Sequence, residues 1–111
     1  MDTVIDNLGT LNLDLKDEKT LKYLIGRCKS VENFERLYGQ ISPYYSKATA
    51  KVGGAWNKFI LPEIEKQIPN CKSVEDFERL DSQTPPYSEA KRKVWGAWQT
   101  FVKSEIQKTI V

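Results

Sequence analysis

Basic side chains concentrate in two matching stretches of the sequence, residues 41–62 and residues 82–104. Together these stretches hold seven of the 17 basic residues of the chain but only one of its 15 acidic residues, Glu89. The seven basic residues are Lys47, Lys51, Lys58, Lys91, Arg92, Lys93 and Lys103. Lysine and arginine side chains grouped in this way displace counterions from phosphates, and an arginine can also pair with a guanine edge. These residues therefore indicate phosphate contact.

Catalysis that depends on histidine is excluded, because the chain contains none. Serine or cysteine triads with a histidine base, histidine-ligated nuclease centres and histidine proton shuttles all require that side chain. The carboxylates lie on predicted solvated helix faces, such as residues 31–36, and not beside one another in apolar surroundings. We therefore expect a binding protein rather than an enzyme, and we expect no cofactor.

The two cysteines, Cys28 and Cys71, occupy equivalent positions in the internal repeat described below. This equivalence indicates that each fills the same local niche, so we expect two buried free thiols rather than a mutual disulfide. Two thiols without a histidine also make a poor zinc site, which normally has four nitrogen or sulfur ligands. No metal is predicted.

Length and composition favour a small folded protein. A chain of 111 residues, 40% hydrophobic and 29% charged, lies in the ordinary globular range and suits one domain or two very small ones. No apolar run approaches the roughly 18 residues of a membrane-spanning helix, and the start of the sequence has no signal-peptide pattern. These features predict a cytoplasmic protein, in a cell or in an infected host, with no membrane partner.

An internal duplication dominates the sequence. Residues 28–37 return almost unchanged as residues 71–80, with aspartate replacing asparagine at one position. Further along, Tyr45-Ser46 matches Tyr87-Ser88, and the Gly-Ala-Trp sequence that ends at Trp56 recurs at Trp98. Such self-similarity is typical of repeated structural units.

Each copy is predicted to form three helices, A, B and C, which makes the fold all-α. The predicted divisions are an extended arm over 1–16, a repeat over 17–60, a repeat over 61–102 and a capping helix over 103–111. In copy two, Pro62 suits the first position of helix A. Ser30 and Ser73 are predicted N-caps of helix B, and helix C is expected to open at Ser46 and at Ser88.

Apolar residues follow steps of three and four along helix C, which places one face of this helix in the core. These residues are Val52, Trp56 and Phe59 in copy one, and Val94, Trp98 and Phe101 in copy two. Trp95 falls outside the shared pattern, because its counterpart is Gly53. It is expected either to fill a space that differs between the copies or to lie exposed at a contact surface.

The first sixteen residues have no copy. Leu11, Leu13 and Leu15 alternate with polar residues, as in a strand, although no second strand is predicted. We expect an extended arm packed over the bundle, with strand pairing to a second subunit or partner as the alternative.

The order helix, helix, turn, helix, with Tyr-Ser opening the last helix, resembles the homing endonuclease-associated repeat. That family's pattern ends in an aromatic-Gly-Ser-Trp signature. Trp95-Gly96-Ala97-Trp98 matches it apart from alanine for serine, and Gly53-Gly54-Ala55-Trp56 has glycine at the aromatic position. The resemblance covers residues 17–102. It implies tandem helix-turn-helix-like units that present their third helix to DNA, in a regulator or accessory factor from a mobile element or virus.

The expected partner is double-stranded DNA, contacted by the first turns of helix C. The predicted contact residues are Tyr45, Ser46, Lys47, Thr49, Lys51, Tyr87, Ser88, Lys91, Arg92 and Lys93. Arg92 is the predicted base reader, and the lysines are expected to contact phosphates. The alternative is a helical-repeat adaptor or inhibitor that binds a protein partner in the grooves between its units.

Overall fold

The structure is a computed structural model that describes residues 3–8, 10–11, 13–41 and 46–110. Every regular element in these ranges is helical, which confirms the predicted all-α class. The α-helices are α1 (Thr3–Asp6), α2 (Glu18–Arg27), α3 (Val31–Gln40), α4 (Ser46–Gln67), α5 (Val74–Ser82) and α6 (Glu89–Ile110), with a 3₁₀ turn over Ile68–Asn70. Of the described helices, none is both long and apolar enough to cross a membrane.

The chain forms two compact units, residues 1–56 and residues 57–111, and the division falls within α4. Unit 1 contains α1, α2, α3 and the first half of α4. Unit 2 contains the second half of α4, then α5 and α6. Helices α3 and α5 come from the predicted helix B, and the starts of α4 and α6 come from the predicted helix C.

The two B helices begin with the same cap, as the sequence predicts. Ser30 Oγ accepts a hydrogen bond from the Asn33 amide, and Ser73 Oγ accepts one from the Asp76 amide. In return, the side chain of Asn33 accepts from the Lys29 amide, and Asp76 accepts from the Lys72 amide. These reciprocal bonds satisfy amides that a helix start leaves without partners inside the helix.

Helix α4 is continuous over 22 residues, which corrects the predicted boundary at residue 61. Pro62 lies inside this helix and not at its first position. A buried stripe runs along α4 at steps of four, through Val52, Trp56, Ile60 and Ile64. Packing of this stripe outweighs the one backbone hydrogen bond that Pro62 cannot donate. Helix α6 is likewise continuous, so residues 103–110 extend it and do not form a separate capping helix.

Each unit has a phenylalanine stacked against a tryptophan. Phe34, Trp56 and Phe77 are buried, whereas Trp98 and Phe101, which were predicted to lie in the core, are half-buried. Phe34 and Trp56 lie 6.3 Å apart in unit 1, and Phe77 and Trp98 lie 6.1 Å apart in unit 2, with nearly parallel rings in both pairs. Phe59 departs from its predicted core position, since 43% of it is exposed. The buried stripe of α4 passes through Ile60 instead, which leaves Phe59 at the edge of the stripe.

The predicted extended arm is partly helical in the structure. Val4, Ile5 and Leu8 follow helical spacing, and the last two are buried, with α1 packed against α3. Within the described ranges the arm contains no strand, and Leu11 and Leu13 are exposed. The arm therefore packs on unit 1, as expected, but through a short helix and turns.

Both cysteines are free thiols. Cys28 is buried as expected, whereas Cys71 is half-buried. Each Sγ donates to the carbonyl four residues earlier, that of Leu24 or that of Gln67. The two side chains therefore occupy the same local niche, as the repeat predicts.

Candidate binding site at the start of helix α6

The ten predicted contact residues separate into different environments. Tyr45 lies outside the described residues, and Ser46 is the first residue of α4. Lys47 is exposed and Thr49 is half-buried. The remaining six are Lys51, Tyr87, Ser88, Lys91, Arg92 and Lys93, and their contacts decide which of them a ligand can reach.

Ser88 is a structural cap and is buried. Its hydroxyl donates to the Pro85 carbonyl at 2.7 Å and accepts from the Lys91 amide at 3.1 Å. A second cap comes from α4, because Asn57 Oδ1 accepts from the Ala90 amide at 2.8 Å. The amides of Ala90 and Lys91 are thus occupied by the protein. These two amides are therefore not available to a ligand, and the side chains around them are the groups that remain for contact.

Tyr87 stands fully outside the packed structure. It is 95% exposed, and its φ of 57° lies in the left-handed region. This conformation costs a residue with a Cβ roughly 1–2 kcal/mol, and here no burial of the ring offsets that cost. Strained residues of this kind cluster at functional positions. Tyr87 is therefore a candidate contact residue on structural grounds as well.

Asp81, at the end of α5, holds two side chains of α6. Its Oδ1 accepts from the indole Nε1 of Trp95 at 2.7 Å and from Lys91 Nζ at 2.8 Å. The Asp81 and Lys91 side chains are about a quarter exposed, so water screens this ion pair less than it would screen a pair on the open surface. Asp81 thereby fixes the orientation of the Trp95 indole, and its carboxylate lowers the positive potential that Lys91 presents to a ligand.

Arg92 is exposed, and within the described part of the chain its guanidinium makes no ion pair. It shares a shallow groove with the exposed Tyr87 and with Trp95, which is 51% exposed. We call Tyr87, Lys91, Arg92 and Trp95 the α6 face. Trp95 also borders a second groove, lined by Asp81, Trp95, Trp98, Gln99, Val102 and Lys103. The α6 face thus combines a free guanidinium with two exposed aromatic rings.

Lys93 does not belong to this face. Its Nζ pairs with Glu65 on α4 at 3.1 Å, and in unit 1 the equivalent Lys51 pairs with Glu18 on α2 at 3.1 Å. Both pairs are exposed, so each contributes little to stability, about 0–1 kcal/mol. They nevertheless place these two lysines beside carboxylates, which lowers the positive potential that a phosphate would meet.

Unit 1 has no equivalent of the α6 face. The positions that match Lys91, Arg92 and Trp95 hold Thr49, Ala50 and Gly53. The second aromatic beside the core tryptophan comes from α3 in unit 1, where Tyr38 meets Trp56 edge-on at 6.0 Å. In unit 2 it comes from α6, where Trp95 lies 6.1 Å from Trp98. Only unit 2 therefore carries the full candidate site.

Sequence reasoning missed Asp81 and placed Trp95 only as one of two alternatives. The sequence did contain a signal for both residues, because two positions differ together between the two copies of the repeat. Tyr38 and Gly53 of unit 1 correspond to Asp81 and Trp95 of unit 2, so the large side chain has moved from helix B to helix C. A Cβ added at Gly53 would lie 4.0 Å from the Tyr38 ring, which shows that the two positions are neighbours.

Two titrating groups in unit 2 are perturbed, and both lie near the start of α5. The hydrogen bond from the Lys72 amide lowers the pKa of Asp76, with further help from Ser73 and Arg79. Burial raises the pKa of the Cys71 thiol, and the nearby Asp76 carboxylate raises it further. Neither residue lines the grooves beside Trp95, so these shifts belong to the cap of α5.

No protein-family model, curated protein or solved structure matches the chain. The case for a function therefore comes from the residues of the chain and their geometry.

Proposed function

We propose that the protein binds double-stranded DNA through the α6 face of unit 2. The observation that carries the proposal is the exposed, unpaired guanidinium of Arg92 in the second turn of α6, beside the exposed Tyr87. In helix-turn-helix proteins the side chains at the start of the second helix of the motif reach base edges. Here α5, the turn after it and α6 occur in that order, in agreement with the resemblance found in the sequence.

The proposal assigns different roles to the residues of the face. Arg92 is the base reader, because its fork matches the two acceptors of guanine in the major groove. Tyr87 contacts the sugar-phosphate backbone through its hydroxyl. Lys103 is exposed, lines the second groove beside Trp95 and supplies a phosphate contact at the edge of the site. Lys93 has no direct role, because it lies beside Glu65.

A second candidate function is binding of a protein partner through the same face. The specific observation in its favour is that Trp95 is half exposed between two grooves, beside Tyr87 and Arg92. Tryptophan, tyrosine and arginine are the residues that most often dominate the energy of protein interfaces. An adaptor or inhibitor would use the indole of Trp95 as its anchor, whereas a DNA-binding protein would depend chiefly on Arg92.

Fluorescence anisotropy with a labelled mixed-sequence duplex tests the proposal. We expect binding whose affinity falls about tenfold or more between roughly 50 and 200 mM salt, since each phosphate contact releases a counterion. The matched pair of variants is Arg92→Ala and Lys93→Ala, which remove the same charge from adjacent positions of one helix. Arg92→Ala is expected to weaken binding about tenfold or more, and Lys93→Ala about twofold at most.

Two results would count against DNA. One is an absence of binding at the lower salt concentration. The other is an equal loss of affinity in both variants, which would show that the loss comes from the change in net charge and not from a specific contact of Arg92. Capture of a protein whose binding is lost in Trp95→Ala but kept in Arg92→Ala would favour the second candidate.

A further inference from the structure

One side of α6 carries a row of exposed residues. Arg92, Gly96, Gln99 and Lys103 follow one another at steps of four, three and four, which places them along one face of the helix, and all of them are exposed. The row has two basic side chains and no carboxylate. Helices that lie in the major groove of DNA read it with residues spaced three, four and seven positions apart along one face. Arg92, Gly96 and Gln99 have that spacing.

The side-chain amide of Gln99 is available to a ligand. It is exposed in the second groove, and within the described residues it makes no hydrogen bond. The corresponding residue of α4 is Asn57, whose amide oxygen accepts from the Ala90 amide. A glutamine amide presents a donor and an acceptor side by side, which matches the N6 and N7 edge of adenine in the major groove. Gln99 can therefore read an adenine, as Arg92 reads a guanine.

Gly96 lies between these two side chains, and the fold does not require a glycine there. Its φ lies outside the left-handed region, and a Cβ added to it would meet no atom of the described structure within 4 Å. A glycine inside a helix is less stable than an alanine, so packing and helix formation both favour a larger residue. Without a side chain at this point, the backbone of α6 can approach the base edges closely.

We infer that Gln99 is a second base-reading residue, and that α6 recognises a guanine and an adenine in one segment of the major groove. This inference rests on the proposed function. Arg92 and Gln99 are about 10 Å apart along the helix axis, and base pairs stack about 3.4 Å apart. The adenine therefore lies two or three base pairs from the guanine that Arg92 reads, and Gly96 passes over the position between them.

Selection of duplexes from a randomised library at about 50 mM salt tests Gln99 directly. The original chain should enrich a guanine and an adenine two or three base pairs apart. Gln99→Ala should lose the preference for adenine and keep the guanine, whereas Gln99→Arg should replace the adenine with a second guanine. Gln107→Ala is the matched control, because Gln107 is an exposed glutamine about two turns further along α6. It should keep both preferences.

Anisotropy on the selected duplex measures the size of the effect. Replacing the adenine by each other base should weaken binding of the original chain about fivefold or more, since one bidentate contact is lost. The same replacement should change the affinity of Gln99→Ala less than about twofold.

Gly96→Leu tests the close approach of α6 to the bases. The new side chain has space in the fold and favours the helix, so the Tm should rise by about 2–5 °C. Duplex binding should weaken about tenfold, because the side chain stands between Arg92 and Gln99. Gly54→Leu is the matched control, since Gly54 is the equivalent exposed glycine of unit 1, where Ala50 replaces Arg92. It should raise the Tm in the same way and leave duplex affinity within about twofold.

Three results would overturn this inference while leaving the proposed function in place. They are duplex binding without a preference for adenine, an adenine preference that both Gln99 variants retain, and equal duplex affinity of Gly96→Leu and Gly54→Leu. Absence of duplex binding at about 50 mM salt would overturn the inference and the proposed function together.

Discussion

The indole Nε1 of Trp95 donates a 2.7 Å hydrogen bond to Oδ1 of Asp81, and these two residues replace Gly53 and Tyr38 of unit 1. The exchange keeps two aromatic rings in contact in each unit, Tyr38 with Trp56 and Trp95 with Trp98. It also brings the second ring onto α6, beside Arg92. The feature that distinguishes the two copies is therefore the one that forms the candidate site.

The exchange predicts strong coupling between positions 81 and 95. Asp81→Tyr should destabilise unit 2 because the new ring competes with Trp95, and Trp95→Gly should destabilise it through lost contacts and a helix-interior glycine that costs about 1 kcal/mol. The double variant recreates the Tyr38–Gly53 pair of unit 1. In urea unfolding, we expect the stability loss of the double variant to be smaller than the sum of the two single losses by about 1 kcal/mol or more. Additivity within about 0.5 kcal/mol would show that the two positions are independent.

Tyr87→Gly should stabilise the protein while weakening its binding. Glycine adopts a φ of 57° without strain, and the ring of Tyr87 has no burial to lose, so we expect a gain of about 0.5–1 kcal/mol after allowing for the greater freedom of glycine in the unfolded chain. Tyr87→Ala is the control, because it removes the same ring but keeps the strain and should give no gain. Thermal unfolding of both variants measures the difference. A Tm for Tyr87→Gly at or below that of Tyr87→Ala would contradict the assignment of strain.

Asp76 makes the stability of unit 2 depend on acid pH. Its pKa is lowered in the folded chain, chiefly by the Lys72 amide, so its contribution is complete above the unfolded pKa of about 3.9 and is lost as the pH falls through the folded pKa. Asp76→Asn keeps the acceptor oxygen, as Asn33 does at the equivalent cap of α3, but does not titrate. Urea unfolding at a series of pH values from about 6 to 2 should show a smaller loss of stability for this variant than for the original chain. Parallel curves for the two proteins would refute this role of Asp76.

The start of α6 leads to a prediction about Asn57. Asn57→Ala removes the acceptor of the Ala90 amide, a bond that spans 33 residues of sequence, and leaves that part-buried amide unpaired. The expected cost is about 1–2 kcal/mol, similar to the loss of a helix cap. Lys58→Ala is the control on the next position of the same helix, where the side chain is exposed and the cost should stay within about 0.5 kcal/mol. Chemical unfolding separates the two outcomes, and an equal effect of both substitutions would mean that the bond to Ala90 contributes nothing.

Local signals in the sequence predicted the helices and their serine caps well, because spacing and capping depend on near neighbours. The continuity of α4 through Pro62 was not predicted, since it rests on the burial of Ile60 and Ile64 by residues far along the chain. The same limit applies to the binding residues. A run of Lys91, Arg92 and Lys93 looks uniform in sequence, yet Asp81 and Glu65 hold the two lysines and leave Arg92 unpaired. Tertiary contacts decide which of these three basic side chains has no carboxylate partner, and the composition of the sequence does not reveal those contacts.

The comparison of Arg92→Ala with Lys93→Ala in duplex binding tests the central claim most directly. Binding at about 50 mM salt that weakens steeply at about 200 mM, is reduced about tenfold or more in Arg92→Ala and is nearly unchanged in Lys93→Ala, is the predicted result. Absence of binding at about 50 mM salt, or equal sensitivity to the two substitutions, would contradict the assignment of the α6 face to DNA.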